Sequence, residues 1–213
     1  MTNLAAVRDR IAASAKLARR SPADVTLVAV SKTRPVELIA PLIAAGQRDF
    51  GENRVQEAAA KWPVLRAAHA DIRLHMIGQL QSNKAAEAVD LFDTIHSLDR
   101  KSLLDALSEA GAKAGRFPAC FVQVNVGEEA QKGGVSIAAL GAFLASMRAS
   151  PLPLAGLMCI PPADREPAPF FALLSELARR HDVIGLSMGM SADYGIAVQL
   201  GATHVRVGSA LFD

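Results

Sequence analysis

The sequence has few aromatic residues and almost no excess of charge. Phe, Trp and Tyr make up 5% of its 213 residues, and 23 Lys and Arg stand against 21 Asp and Glu, a net charge of +2. Nucleic-acid-binding surfaces concentrate positive charge and often carry aromatic rings on which bases stack. We therefore expect no nucleic-acid partner. The hydrophobic fraction of 51% instead indicates a globular protein with a large core.

Long apolar runs are also lacking. A helix that spans a bilayer needs about 20 apolar residues, whereas the longest charge-free windows, 133–147 and 149–163, are shorter and contain Gly, Ser or Pro. The N-terminal apolar residues recur at the spacing of an amphipathic helix and form no secretory core. An Arg-rich targeting peptide is the alternative, but Asp9 favours a structural helix. We expect no membrane contact.

Cysteine is scarce as well. Cys120 and Cys159 both lie in strand-like apolar runs and form no CxxC motif. Buried, reduced thiols are the simpler interpretation, and they predict a cytoplasmic protein. The five histidines follow no H-x-H or HExxH spacing, so no metal site is expected.

What the sequence does contain is a regular alternation of short apolar runs and helical segments. The runs read as nearly continuous apolar strands, which is typical of parallel strands covered on both faces. Strands are predicted at 25–30, 48–50, 72–77, 94–96, 119–126, 154–157, 183–186 and 204–207. Helices are predicted at 35–45, 54–68, 83–89, 100–111, 137–147, 169–180 and 192–200.

Eight βα units of about 25 residues predict a (β/α)8 TIM barrel. Residues 1–213 would form one domain, with an extra helix before the first strand. The alternative is a doubly wound open sheet. For a dinucleotide, that fold would need a glycine fingerprint after strand one, where the sequence has Ser31-Lys32-Thr33-Arg34-Pro35 instead. The barrel is favoured.

Lys32 is the first candidate functional residue because function in a barrel lies on the loops that follow the strands. A lysine at the mouth of an apolar barrel is partly desolvated, which favours the neutral amine. Such an amine is suited to a Schiff base with an aldehyde or ketone. A lysine that only extends into water at a strand end is the alternative.

The turns after strands seven and eight form a candidate anion site. They contain Ser187, Gly189, Gly208 and Ser209, and phosphate-binding barrels commonly use these two loops. Glycines let backbone amides approach an anion, although ordinary tight turns would have the same composition. The G-x-S-x-G pattern at 185–189 matches a hydrolase nucleophile elbow. The 26 residues from Met188 to Asp213 are too few to supply that scaffold's acid and histidine.

Two further polar residues occupy candidate positions. Arg206 lies in the last strand, where an inward arginine needs an acceptor. It could pair with a carboxylate such as Glu52 or donate to a ring nitrogen of a ligand, which would then stay unprotonated. Asn53 could contact a ligand or cap the following helix.

Five segments then occur in order: Val30-Ser31-Lys32-Thr33, Phe50-Gly51-Glu52-Asn53, the ten residues 75–84 (HMIGQLQSNK), Leu186-Ser187-Met188-Gly189-Met190-Ser191 and Val205-Arg206-Val207-Gly208-Ser209-Ala210. Together they resemble the pyridoxal phosphate homeostasis protein family, from the N-terminal helix to the last residues. The one departure within these segments is Ser209, where a threonine is common in the family, and either hydroxyl can donate.

The resemblance implies a fold-type III, alanine-racemase-like barrel that binds pyridoxal 5′-phosphate (PLP). Lys32 would hold the cofactor covalently as an aldimine, Asn53 would lie beside the ring and Arg206 would face the pyridine nitrogen. The phosphate would be held by Ser187, Gly189, Gly208 and Ser209.

The resemblance leaves two functions to separate: a PLP-dependent amino-acid racemase or lyase, and a non-catalytic carrier in vitamin B6 homeostasis. In racemases that share this barrel, a tyrosine supplied with an additional β-domain from the partner subunit acts opposite the lysine. This sequence has one tyrosine, Tyr194, in a predicted helix, and the eight units use its whole length. We predict a monomeric carrier with little or no turnover, whose candidate partners are PLP, free amino acids and apo forms of PLP-dependent enzymes.

Overall fold

Eight short strands alternate with helices along the computed structural model, which describes residues 3–212. The strands are β1 (Thr26–Val30), β2 (Asp49–Glu52), β3 (Arg73–Met76), β4 (Thr94–Leu98), β5 (Ala119–Gln123), β6 (Leu154–Met158), β7 (Leu186–Ser187) and β8 (His204–Val207). The helices are α1 (Leu4–Leu17), α2 (Val36–Ala44), α3 (Val55–Ala68), α4 (Ala85–Leu91), α5 (Lys101–Ala114), α6 (Leu140–Arg148), α7 (Ala168–Arg180), α8 (Tyr194–Gln199) and α9 (Ser209–Phe212). Every predicted strand overlaps an observed one.

The strands close into a parallel barrel. Each strand pairs with the next one in the chain, and β8 pairs with β1 from Thr26 opposite His204 to Ala29 opposite Val207. This confirms the (β/α)8 prediction, because a doubly wound sheet would leave two open edges. The extra N-terminal helix is also confirmed: α1 buries Leu4, Val7, Ile11 and Ala15 and packs against α8.

The two faces of the barrel wall differ in polarity. Outward-facing strand residues such as Phe50, Leu74 and Ile95 join the large apolar core between strands and helices. Alternate residues point the other way, into the barrel, and several of these are polar or ionisable. Asp49, His75, His96, Ser187 and Arg206 are all buried there. Branched apolar residues usually dominate a barrel interior, so this interior is unusually polar.

Strand seven lies later in the chain than its apolar run suggests. The prediction of 183–186 placed Ser187 in a turn, but β7 is Leu186–Ser187, with Ser187 paired with His204 of β8. The apolar residue Ile184 is 91% exposed and belongs to the preceding loop. Ser187 is therefore a buried strand residue. No helix within residues 3–212 is long and apolar enough to cross a bilayer.

Candidate functional site

A cavity of about 530 Å³ lies at the carboxyl ends of the strands. Five of the seven predicted site residues line it, and they come from the loops after three strands and from β8 itself: Lys32, Asn53, Arg206, Gly208 and Ser209. Ile77, Ile160 and Met190 add apolar surface, and Ser191 adds a hydroxyl. Residues from the first and last βα units therefore line the same cavity, because β8 pairs with β1.

The loop that carries Lys32 has an uncommon backbone conformation. Thr33 has a φ of 58°, in the left-handed region that non-glycine residues seldom occupy. The Arg34 amide donates to the Ser31 carbonyl at 3.0 Å, which closes a tight turn. The Lys32 side chain is exposed at the cavity rim. This differs from the expected partial desolvation, because the turn carries Lys32 past the end of the apolar strand.

A buried ion pair beneath that loop fixes its position. Glu52 is fully buried, and its Oε1 lies 2.7 Å from Lys61 Nζ of α3. The same oxygen accepts hydrogen bonds from the Ser31 hydroxyl at 2.7 Å and from the Trp62 indole at 2.9 Å. Lys61 also donates to the carbonyls of Ser31 and Arg34 at 2.9 and 3.3 Å. One carboxylate therefore ties β2, α3 and the Lys32 loop together.

Arg206 is held by two hydrogen bonds at the base of the cavity. Its Nη1 donates to Ser187 Oγ at 2.6 Å and its Nη2 to the carbonyl of Cys159 at 3.0 Å. Because Glu52 points outward and pairs with Lys61, the alternative of an Arg206–Glu52 salt bridge is wrong. Burial lowers the pKa of the guanidinium, yet an arginine remains protonated in proteins and can only donate.

The turn after β8 is tied to Ser191, which also lines the cavity. Ser191 Oγ accepts from the amides of Gly208 and Ala210 at 3.1 and 3.5 Å. Ser209, at the start of α9, is exposed. Ser191 was not among the predicted site residues, although it closes the Ser187-Met188-Gly189-Met190-Ser191 segment. The composition of this segment indicates an anion site, but the sequence does not show which of its two serines lines the cavity.

Ser187 and Gly189 lie just outside the cavity lining. The Ser187 hydroxyl points into the barrel, where it contacts Arg206 and His96. Gly189 is buried with a φ of 92°, and its carbonyl accepts from the Arg206 amide. Ser187 and Gly189 therefore both contact Arg206. Ser191, rather than these two residues, lines the cavity at the place of the predicted anion site.

A second cavity, of about 620 Å³, lies at the opposite end of the barrel around Asp49 and Arg73. Of its lining residues, Arg73 forms two hydrogen bonds with Asp49, and Arg48 pairs with Asp71 beside the cavity. Function in this fold resides at the carboxyl ends of the strands, so the Lys32 cavity is the candidate site.

The donor set of that cavity suits one kind of ligand. A primary amine stands at one side, a buried cation at the base, and the serines Ser191 and Ser209 at the other side. These groups can bind a small anionic molecule that carries an electrophilic carbon and a hydrogen-bond acceptor. The fold and the site define a (β/α)8 barrel protein with an anion-binding, amine-bearing cavity.

Comparison with known proteins places this barrel more narrowly. Residues 2–213 match the family described as alanine racemase, N-terminal domain. The chain is 38% identical to the pyridoxal phosphate homeostasis protein of Escherichia coli (strain K12), over 99% of this chain and 94% of that protein. It is 44% identical to the Pseudomonas aeruginosa protein of the same name, over 99% and 93%. The chain belongs to the pyridoxal phosphate homeostasis protein family.

Solved structures agree with this assignment. PipY of Synechococcus elongatus PCC7942 with PLP bound has a TM-score of 0.82 and 40% identity, over 95% of this chain and 100% of that one. Alanine racemase from Corynebacterium glutamicum is 21% identical with a TM-score of 0.65. That likeness concerns the fold alone, and the match covers 60% of the racemase chain.

Proposed function

We propose that this protein binds PLP in the Lys32 cavity and serves intracellular vitamin B6 homeostasis as a carrier or buffer. The observation that carries the proposal is the meeting of Lys32, Arg206 and the Gly208–Ser209 turn on one cavity. The relatives named pyridoxal phosphate homeostasis protein, which this chain matches over nearly their full length, support it.

Each group of the cavity has a part in this proposal. When bound, PLP would supply an aldehyde carbon, whose condensation with a primary amine releases one water. Lys32 is the amine that holds the cofactor, and the Glu52–Lys61 pair keeps its loop in place. Ser191, Ser209 and the Gly208–Ser209 turn would bind the phosphate. Asn53 lies on the cavity wall and would flank the ring.

Arg206 decides what the site can do with the ring. A guanidinium donates and does not accept, so a pyridine nitrogen facing Arg206 would be held in its unprotonated form. An unprotonated ring withdraws electrons poorly, which disfavours carbanion chemistry. Arg206 therefore favours storage of the cofactor over its use in catalysis.

The position of Tyr194 also favours a carrier over a racemase. It is the one tyrosine of the sequence, and it is 3% exposed in α8, with the Arg10 guanidinium 4.9 Å from its ring centre. It does not line the Lys32 cavity. This chain therefore offers no tyrosine as the second acid or base that two-base racemisation needs.

The finer points of the proposal concern partners and compartment. We propose that residues 1–213 act as one domain and as a monomer, since large exposed apolar residues such as Leu17, Val64 and Ile184 are scattered over separate segments. Free amino acids and apo forms of PLP-dependent enzymes would receive or exchange the cofactor. A cytoplasmic location is supported by two buried free cysteines, whose pKa values are raised to about 12 by burial.

The experiment is an absorption spectrum of the protein loaded with PLP, before and after borohydride, followed by mass mapping of the modified lysine. We expect an imine band that borohydride removes, with the label on Lys32, and no such band in Lys32→Ala. Lys101→Ala, which changes an exposed lysine paired with Asp105, is the matched control. A wild type that stays colourless with PLP contradicts the proposal.

The loaded protein should also be incubated with L-alanine and assayed for D-alanine. A carrier leaves the mixture unchanged. Conversion at a rate on the order of 1 s⁻¹, which is ordinary for enzymes, would establish the racemase instead.

A further inference from the structure

A chain of four hydrogen bonds crosses the barrel interior from one end to the other. It joins Asp49 Oδ1 to His75 Nε2 at 3.0 Å, and His75 Nδ1 to His96 Nε2 at 2.9 Å. It continues from His96 Nδ1 to Ser187 Oγ at 2.7 Å, and from Ser187 Oγ to Arg206 Nη1 at 2.6 Å. Its five members are each at most 7% exposed.

With one proton on each histidine ring, the two ends of this chain determine the direction of every hydrogen bond in it. Arg206 can only donate, and an ionised Asp49 can only accept. Ser187 therefore accepts from Arg206 and donates to His96 Nδ1. His96 then donates from Nε2 to His75 Nδ1, and His75 donates from Nε2 to Asp49. Both histidines are neutral in this arrangement, with the proton on Nε2.

The surroundings support that arrangement. Arg73 donates to both carboxylate oxygens of Asp49, at 2.8 and 2.6 Å. Burial raises the pKa of Asp49, but the hydrogen bonds from His75 and Arg73 and the charge of Arg73 outweigh it and lower that pKa to about 2. Burial holds the pKa of His96 well below its ordinary value, and the positive charge of Arg206 adds to this effect.

We propose that Asp49, at the end of the barrel opposite Lys32, is a positioning residue for Arg206 and acts through this polarised chain. Asp49 fixes the position of the proton on each histidine ring. The Ser187 hydroxyl then donates to His96 and accepts from Arg206, and this hydrogen bond holds the guanidinium toward the cavity. The part of the proposal that concerns the ligand rests on the proposed PLP site. The proton positions do not, since they belong to the protein alone.

Proton positions are read by nitrogen NMR on the full chain labelled with ¹⁵N-histidine, without cofactor. His75→Gln and His96→Gln variants assign the signals. We expect both histidines to be neutral and protonated on Nε2. A proton on Nδ1 of either ring overturns the proposal, whether or not the protein binds PLP.

Asp49→Asn tests the action at a distance. An amide both donates and accepts, so the direction of the chain is no longer fixed. We expect a mixture of His75 tautomers, a shifted absorption maximum of bound PLP, and about tenfold weaker binding, the usual effect of losing a hydrogen bond to a charged group. Asp49→Glu should restore the wild-type tautomers. Asp71→Asn, which removes an exposed carboxylate at the same end, is the control and should change none of these.

Ser187→Ala provides a second test that does not depend on the stability of the Asp49 variants. If Ser187 acts through Arg206, its loss weakens binding of both PLP and pyridoxal, which lacks the phosphate, by about tenfold. If only the binding of PLP is weakened, Ser187 contacts the phosphate directly, and the proposed role of the hydrogen-bond chain is overturned. If Asp49→Asn binds PLP with wild-type affinity and spectrum, the positioning role of Asp49 is also overturned. If the wild-type protein binds no PLP, the proposed function is refuted, and the histidine tautomers are then judged from the NMR measurement alone.

Discussion

The Lys32 loop depends on a single buried carboxylate. Glu52 is fully buried, and three donors converge on its Oε1: Ser31, Lys61 and Trp62. A buried ion pair contributes little net stability, but removing one partner leaves the other charge uncompensated. Glu52 therefore links the stability of the fold to the position of the candidate site.

Glu52→Gln should lower the free energy of unfolding by about 3 kcal/mol, because the Lys61 ammonium then remains buried beside carbonyls alone. Urea unfolding measures the loss. The double variant Glu52→Gln, Lys61→Met removes the stranded charge and should recover at least half of it. Glu57→Gln, which breaks the exposed pair with Arg54, should cost under about 0.5 kcal/mol. Equal losses in the two glutamate variants would contradict this account.

At the scale of elements, apolar periodicity predicted the order of strands and helices but not all of their ends. Gly46 and Gly201 do end helical segments with positive φ, at 82° and 103°. The helix predicted at 100–111 is too short, because Gly111 lies inside α5, which continues to Ala114 and is capped by Gly115 with a φ of 67°. The sequence alone does not show which of the two glycines, Gly111 or Gly115, ends this helix. The answer depends on the packing of Phe117, whose ring lies against Gly111.

Gly189 tests an element boundary, the turn between β7 and α8. Its φ is 92°, and a Cβ there would lie 2.5 Å from the Cβ of Ala197 and 2.9 Å from the Cα of Tyr194. Gly46 has a similar φ of 82° but nothing within 4 Å of an added Cβ. Gly46→Ala should therefore cost about 1 kcal/mol for its backbone conformation alone.

Gly189→Ala should cost about 2 kcal/mol more than Gly46→Ala, because overpacking adds to the backbone term. Thermal unfolding of the two variants gives the difference. Gly189→Ala should also weaken PLP binding, since the Gly189 carbonyl accepts a hydrogen bond from the Arg206 amide. Similar melting temperatures for the two variants would mean that α8 moves aside freely.

At the scale of the whole molecule, closure of the barrel creates a cluster that the sequence does not reveal. His75, His96 and His204 are separated by at least 21 positions, and their spacing fits no motif. Their ring centres lie 5.2 to 6.2 Å apart in the barrel. Pattern reasoning could find Lys32 and Gly208 because each follows its own strand. The histidines become neighbours only through the register of strands β3, β4 and β8.

His204 makes this interior sensitive to acid. Burial lowers the pKa of His204 from 6.5 to about 4, and the charges of Arg206 and Arg73 add to this effect while Asp49 opposes it. Between those values the unfolded chain binds a proton that the folded protein excludes. Stability therefore rises with pH across this window and is lost as the pH falls from about 6.5 toward 4.

The loss attributable to His204 should be about 2 to 3 kcal/mol between pH 7 and pH 4, from the size of the shift and some screening by partial exposure. Urea unfolding at several pH values measures it. His204→Gln removes the titrating group, so its stability should fall less steeply over the same range. His181→Gln, at the end of α7 outside the barrel, controls for loss of a histidine as such. If the His204 variant keeps the full wild-type slope, the acid sensitivity arises elsewhere, and the hydrogen-bonded pair of His75 and His96 becomes the group to test.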